Sequence, residues 1–124
     1  MAKILIIEDD ETLSRMYQKK LEHDGFEVAA AYSGGEGLIA TSKEKPDLIL
    51  LDIMMPAMDG FEVIKQLKRQ EETKNIPIVI LTNLGTSEIF IDEAKMLGVK
   101  NYLVKYKTSA QEVVETIKRE LNLK

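Results

Sequence analysis

Three consecutive acids, Glu8-Asp9-Asp10, end the apolar run Ile4-Leu5-Ile6-Ile7, and a fourth acid, Asp52, ends a second run, Leu48-Ile49-Leu50-Leu51. Thr82 ends a third run, Ile78-Val79-Ile80-Leu81, and Lys105 follows Tyr102-Leu103-Val104. Short apolar runs of this kind read as buried strands. Their ends would then bring carboxylates, one hydroxyl and one ammonium to a single region. Carboxylates within about 5 Å of each other repel by several kcal/mol at an intermediate effective dielectric, so such a group either holds a proton or binds a cation. Oxygen donors without nitrogen or sulfur select a hard cation. Mg2+ fits best because it takes one or two carboxylates, keeps waters and shares a phosphate oxygen, and Mn2+ accepts similar donors. Zinc would want the histidines and cysteines that this region lacks. The one histidine, His23, falls by the end of the first helical stretch and reads as a solvated surface residue.

Acids, a hydroxyl and a lysine form a set suited to phosphoryl transfer. A carboxylate beside a metal can attack a phosphoryl group and carry it as an acyl phosphate once positive charge offsets their mutual repulsion. Asp52 is the expected nucleophile, since it stands alone at its strand end ahead of the loop Ile53-Met54-Met55-Pro56. Glu8 and Asp9 are the adjacent pair suited to metal. Lys105 would neutralise one phosphoryl oxygen and Thr82 would donate a hydrogen bond to another. Asp10 also suits the N-cap of a first helix, a role compatible with the site. Taken singly, Thr82 and Lys105 would be a satisfied strand-end hydroxyl and a surface lysine; their joint placement argues for the site.

These side chains need a scaffold whose strand ends point one way. Short apolar runs alternate with longer amphipathic stretches, the pattern of parallel strands covered by helices on both faces. The spacing predicts strands over 3–8, 27–31, 47–51, 76–82 and 101–105, the second and fifth less apolar than the others. Helices are predicted over 11–24, 34–43, 60–70, 86–97 and 109–122. Leu13, Tyr17 and Leu21 recur every fourth residue, and Gly25 just beyond them is a stop signal. Val113, Ile117 and Leu121 repeat the pattern after Ser109. In an open parallel sheet, ligands collect beyond the carboxyl ends of the strands, where strand order reverses.

The chain has 124 residues, 44% of them hydrophobic and 31% charged, which is the length and composition of one self-folding domain over 1–124. There are no cysteines, so thiol chemistry and disulfides are excluded. Met1-Ala2-Lys3 and four apolar residues make neither an export signal nor a membrane-spanning helix, so the cytoplasm is the expected compartment. A net charge of −4 argues against direct nucleic-acid contact.

The constellation resembles the receiver domain of two-component response regulators, in its stand-alone chemotaxis or sporulation form, along essentially the whole chain from Lys3 to the last helix. Glu8-Asp9 are similar to the family's acidic pair, Asp52 to its phosphoryl acceptor, Thr82 to its switch hydroxyl and Lys105 to its invariant lysine. Met55-Pro56 through Asp59-Gly60 and Ala94 to Gly98 match as well. The resemblance implies a flavodoxin-like (βα)5 three-layer sandwich, its five-stranded parallel sheet in the order 2-1-3-4-5. It implies Mg2+ held by Glu8, Asp9, Asp52 and the Met54 backbone carbonyl, and phosphorylation of Asp52 by a histidine kinase or phosphotransfer protein. It further implies an aromatic switch at Tyr102 that moves with Thr82. Without an output domain, the signal would pass by binding an unidentified downstream protein, the chain being a monomer or a weak phosphorylation-dependent dimer. Ile89 and Phe90 are candidates for that output surface, and Met16 for kinase contact. Such a protein is a switch and not a turnover enzyme on an external substrate.

Three departures from the family pattern stand out. Tyr106 follows Lys105 where the family usually has proline, and a cis bond without proline costs about 3 kcal/mol, so this bond is expected to be trans. Asn83 stands where a small residue is common and would narrow access to Asp52. Met54 and Leu84 replace polar side chains that can assist an attacking water, which predicts a long-lived phosphoryl form. Among the rivals, an aspartate-nucleophile phosphatase would want a general acid at Met54. A flavin or dinucleotide module would be repelled by Glu8-Asp9-Asp10, and Gly34-Gly35-Glu36-Gly37 follows the wrong strand for that motif. An interaction module that has kept the fold and lost phosphorylation is the remaining alternative.

Overall fold

Five strands, β1 (Lys3–Ile7), β2 (Glu27–Ala31), β3 (Leu48–Leu51), β4 (Ile78–Thr82) and β5 (Asn101–Val104), alternate with five helices in the computed structural model, which describes residues 1–85 and 87–123. The helices are α1 (Glu11–His23), α2 (Gly34–Glu44), α3 (Gly60–Lys68), α4 (Glu88–Met96) and α5 (Ala110–Glu120). Every strand pairing is parallel and the order is β2-β1-β3-β4-β5, the flavodoxin-like sandwich that the resemblance implied.

Strand parity sorts the core into two layers. Ile4 and Ile6, Leu48 and Leu50, and Val79 and Leu81 pack against Tyr17 and Leu21 of α1 and Val113, Val114 and Ile117 of α5. Their alternates, Leu5 and Ile7, Ile49 and Leu51, and Ile78 and Ile80, pack against Phe61, Val63, Ile64 and Leu67 of α3 and Ala94 of α4. The central strands β1, β3 and β4 therefore carry near-continuous apolar runs, while β2 and β5 are only partly buried because they are the edges.

Helix starts follow local chemistry. Asp10 is the N-cap of α1, its Oδ1 accepting from the Leu13 N–H at 3.0 Å, and Asp59 caps α3 through the Glu62 N–H at 3.0 Å. Ser109 and Glu112 form a reciprocal capping box on α5. Gly25, at φ +95°, makes the predicted stop after α1.

The observed boundaries differ from the predicted ones in ways that have local causes. β1 stops at Ile7, one residue before Glu8, although the Glu8 N–H still donates to the Ala31 carbonyl at 3.1 Å. β4 begins at Ile78, since Pro77 has no N–H to give and supplies only its carbonyl, to Ile49 at 3.0 Å. α3 ends at Lys68, where the Leu67 carbonyl accepts the Gln70 N–H at 3.3 Å and the Thr73 hydroxyl at 2.6 Å. Lys105 is not the last residue of a strand: β5 ends at Val104, and Lys105 opens the 3-10 turn Lys105–Lys107. The predicted start of the fourth helix at residue 86 lies outside the described residues; α4 runs from Glu88.

Ile64 is wholly buried between α3 and the sheet, whereas Ile39 on α2 is 71% exposed. In urea unfolding, Ile64→Ala is expected to cost about 2–5 kcal/mol and Ile39→Ala to stay within about 0.5 kcal/mol of the parent. Equal costs at the two positions would contradict this division of core and surface.

Candidate functional site

Sheet register sets the site. Ile7 pairs with Leu51, so the residues that follow, Glu8 and Asp52, leave the sheet side by side. The Asp52 N–H donates to the Ile7 carbonyl at 3.0 Å and fixes that relation by one further ladder bond. β1 and β3 flank the point where strand order reverses, the place where an open α/β sheet leaves a crevice. On the next two strands Thr82 pairs with Val104, which puts the hydroxyl beside the residue that precedes Lys105.

Glu8, Asp9 and Asp52 each present a carboxylate oxygen within 4.8 Å of the others; Glu8 and Asp52 are buried and Asp9 is exposed. One ammonium holds the two buried acids together. Lys105 Nζ donates to Glu8 Oε1 at 2.5 Å and to Asp52 Oδ2 at 3.2 Å. Removing one partner of such a pair leaves an uncompensated charge and costs several kcal/mol, which makes Lys105 a structural member of the site as well as a chemical one. Glu8 Oε2 accepts the Asp10 N–H at 3.0 Å, and Asp52 Oδ1 accepts the Met54 N–H at 3.2 Å.

The electrostatics follow from burial. Desolvation pushes the Glu8 carboxyl up to about 7, against the pull of Lys105 and the Asp10 N–H, and the charge on Asp52 adds to the push. Burial opposes the charge on Lys105, yet the hydrogen bond to Glu8 and the field of Asp52 prevail and hold it above the ordinary lysine value. Burial thus favours the neutral form of Glu8, the direction of one of the two outcomes expected for a crowded carboxylate group. The other outcome, binding a hard cation, suits the three carboxylate oxygens equally.

Thr82 is wholly buried, and its Oγ1 accepts the Leu84 N–H at 3.3 Å; no bond links it to the acids. Tyr102 packs against the α3 and α4 side of the core. Its buried hydroxyl has no hydrogen-bond partner among the described residues, and burial, with the charge on Asp52 adding, raises its pKa. Met54 is 53% exposed and Leu84 partly buried, so the two apolar departures lie on the loops after Asp52 and Thr82. Asn83 is exposed and lines a depression of about 390 Å³ with Lys105 and Tyr106. No described peptide bond is cis, so the Lys105–Tyr106 bond is trans as expected.

Two contributors were given no site role in the sequence, although Gly60 lies within the matched Asp59-Gly60 stretch. A Cβ at Gly60 would lie 2.5 Å from the Asp52 carbonyl oxygen, so only glycine lets the start of α3 close on the strand end. Tyr17, expected as an ordinary apolar position of α1, has its hydroxyl within the fields of both Lys105 and Glu8: burial raises its pKa, Lys105 opposes and Glu8 adds. The choice of tyrosine over leucine at that position was the only available signal.

The sequence profile of the response regulator receiver domain matches residues 4–118. The chain is 38% identical to the protein PilH of Pseudomonas aeruginosa over 107 residues, 85% of this chain and 86% of PilH. It is 40% identical to the DNA-binding dual master transcriptional regulator RpaA of Synechocystis over 105 residues, but spans only 43% of that longer protein. Among solved structures, the chemotaxis protein CheY4 of Vibrio cholerae superposes with a TM-score of 0.89 at 34% identity, covering 96% of this chain and 98% of CheY4. A CheY-like receiver protein of Methanospirillum hungatei also gives 0.89, at 27% identity over 98% of this chain and 94% of the other. With that fold, that register of acids and lysine, and a family match over nearly its full length, this chain belongs to the response regulator receiver domains of two-component signalling systems.

Proposed function

We propose that this receiver accepts a phosphoryl group on Asp52 from the phosphohistidine of a kinase or phosphotransfer protein and passes the signal on by binding another protein. The observation that carries this reading is the Lys105 ammonium bridging Glu8 and Asp52 at the mouth of the sheet. An Asp52 carboxylate oxygen attacks phosphorus, the phosphorus–nitrogen bond breaks, and its electron pair returns to the imidazole ring of the donor. Lys105, already charged, turns from Glu8 to the incoming phosphoryl oxygens. Glu8, Asp9, Asp52 and the Met54 carbonyl would hold Mg2+, which supplies positive charge to offset the repulsion between the acids and the phosphoryl group.

The Thr82 hydroxyl, which accepts the Leu84 N–H, then donates its own hydrogen to a phosphoryl oxygen, and Tyr102 follows. A buried hydroxyl without a partner costs about 1–3 kcal/mol, so the present seat of Tyr102 is one that a modest rearrangement can improve. The phosphoryl group favours the switched form only by what it gains there beyond the resting one. No described helix is long and apolar enough to cross a membrane. The cytoplasm, where a phosphohistidine donor is available, is the proposed compartment.

Intact mass after incubation with acetyl phosphate and Mg2+ is expected to show one added phosphoryl group, absent in Asp52→Asn and after chelation. Folded, metal-loaded protein that gains no mass would move the case to a phosphorylation-independent interaction module. In chelated protein, the Glu8 carboxyl carbon should titrate near pH 7 by NMR, well above the ordinary 4.5, because burial favours its neutral form. Excess Mg2+ should move that titration to lower pH, since cation and proton compete for the same oxygens. A Glu8 midpoint unmoved by Mg2+ would remove Glu8 from the ligand set. Apolar Met54 cannot orient an attacking water, so Met54→Asn should hasten loss of the phosphoryl group by about tenfold, below the roughly 10²–10⁴-fold of full general-base assistance because an amide orients water without taking its proton; an unchanged decay rate would count against the slow-release reading.

A further inference from the structure

Two hollows of about 620 and 500 Å³ lie next to each other between α3 and α4 and share Lys65 and Glu93. Their apolar lining runs from Met54, Leu84 and Phe90 to Ile89, Met96 and Leu97. Met54, Ile89 and Met96 are 53%, 74% and 88% exposed, which makes them three of the eight large hydrophobic side chains left in solvent among the described residues. An elongated apolar groove of this kind marks a protein-binding surface when its rim is polar. The rim here has one sign of charge in excess. Asp59, Glu62, Asp92 and Glu93 face the single Lys65, and none of the four acids forms a salt bridge among the described residues.

The groove is also wired to the site. At its inner end the Met54 N–H donates to Asp52 Oδ1 and the Leu84 N–H donates to Thr82 Oγ1. Both oxygens belong to side chains that phosphorylation would engage, Asp52 as the acceptor and Thr82 as a donor to a phosphoryl oxygen. The outer wall is the helix with the smallest hold on the core: α4 buries only Ala94 fully, and Ser87 gives it no side-chain cap bond. Few buried contacts leave an element easy to displace.

We infer that the α3–α4 groove is the docking site for an amphipathic helix of the downstream protein, an apolar stripe flanked by Lys and Arg, bound more tightly in the phosphorylated form. This rests on the reading of Asp52 as phosphoryl acceptor. The nine-residue α4 wall is about 13 Å long, which matches some two and a half turns of a partner helix presenting residues at i, i+4 and i+7. The acidic rim selects basic flanks and repels nucleic acid and anionic lipid.

Six methionines make the test direct. Protein labelled with 13C at the methionine methyls would be titrated with two 15-residue helical peptides sharing one Leu/Phe stripe, one flanked by Lys and Arg, the other by Glu. The titrations would be run before and after phosphorylation, with mass checked in parallel. The basic peptide should shift Met54 and Met96, leave Met16 on α1 in place, and bind about fivefold more tightly than the acidic one. Asp92→Lys with Glu93→Lys should reverse that preference while leaving phosphoryl uptake unchanged, and phosphorylation should tighten the basic peptide by about threefold or more. Normal phosphoryl uptake with no shift at Met54 and Met96, equal binding of both peptides, or equal affinity in both states would each overturn the docking inference and leave the receiver reading intact. Failure to gain the phosphoryl mass would instead overturn the receiver reading, and with it the proposed coupling.

Discussion

Like charge held in a buried crevice is the constraint on which the rest of this structure depends. Three carboxylates converge at the ends of β1 and β3, and two of them have little access to water. Lys105 Nζ is the counter-charge that makes the arrangement tolerable, and it comes from the far side of the sheet, 97 residues along the chain from Glu8. Folding must therefore bring the first and last thirds of the chain together before the acids are compensated. A single ammonium shared by two acids leaves the group net negative. Burial is the main cause of the raised Glu8 pKa, and the charge on Asp52 adds to it.

The scaffold meets this constraint through register more than through any single contact. Parallel pairing of Ile7 with Leu51 places the acids at equal height, and the ladder bond from Asp52 to Ile7 holds them there. Gly60 lets the next helix begin directly against the Asp52 carbonyl, so the loop after β3 cannot drift away. The 3-10 turn at Lys105 has the opposite effect: it frees the ammonium from the pleat and lets it reach across two strands.

The helices are anchored to different degrees. α3 buries Gly60, Phe61, Val63, Ile64 and Leu67, whereas α4 buries Ala94 alone. A rigid helix and a loosely held one thus face each other across an apolar groove, and the loops at its inner end hydrogen-bond to Asp52 and Thr82. Local charge at the sheet mouth and the shape of a distant surface are in this way mechanically adjacent.

The sequence by itself determined the alternation of elements, the buried central strands, the Asp10 cap, the Gly25 stop and the candidate acids, hydroxyl and lysine. Each of these is encoded locally, by hydrophobic period, by turn chemistry or by the residue that ends an apolar run. Strand order was legible only through family resemblance, because periodicity is indifferent to which strand is a neighbour. Tertiary structure alone decided that Lys105 leaves β5 and bridges Glu8 to Asp52, that Tyr17 borders the charged group, and that Phe90 turns toward the core while Ile89 stays in solvent. Those outcomes depend on distances between residues far apart in the chain and on how much water remains around them, quantities that no local pattern of residues carries.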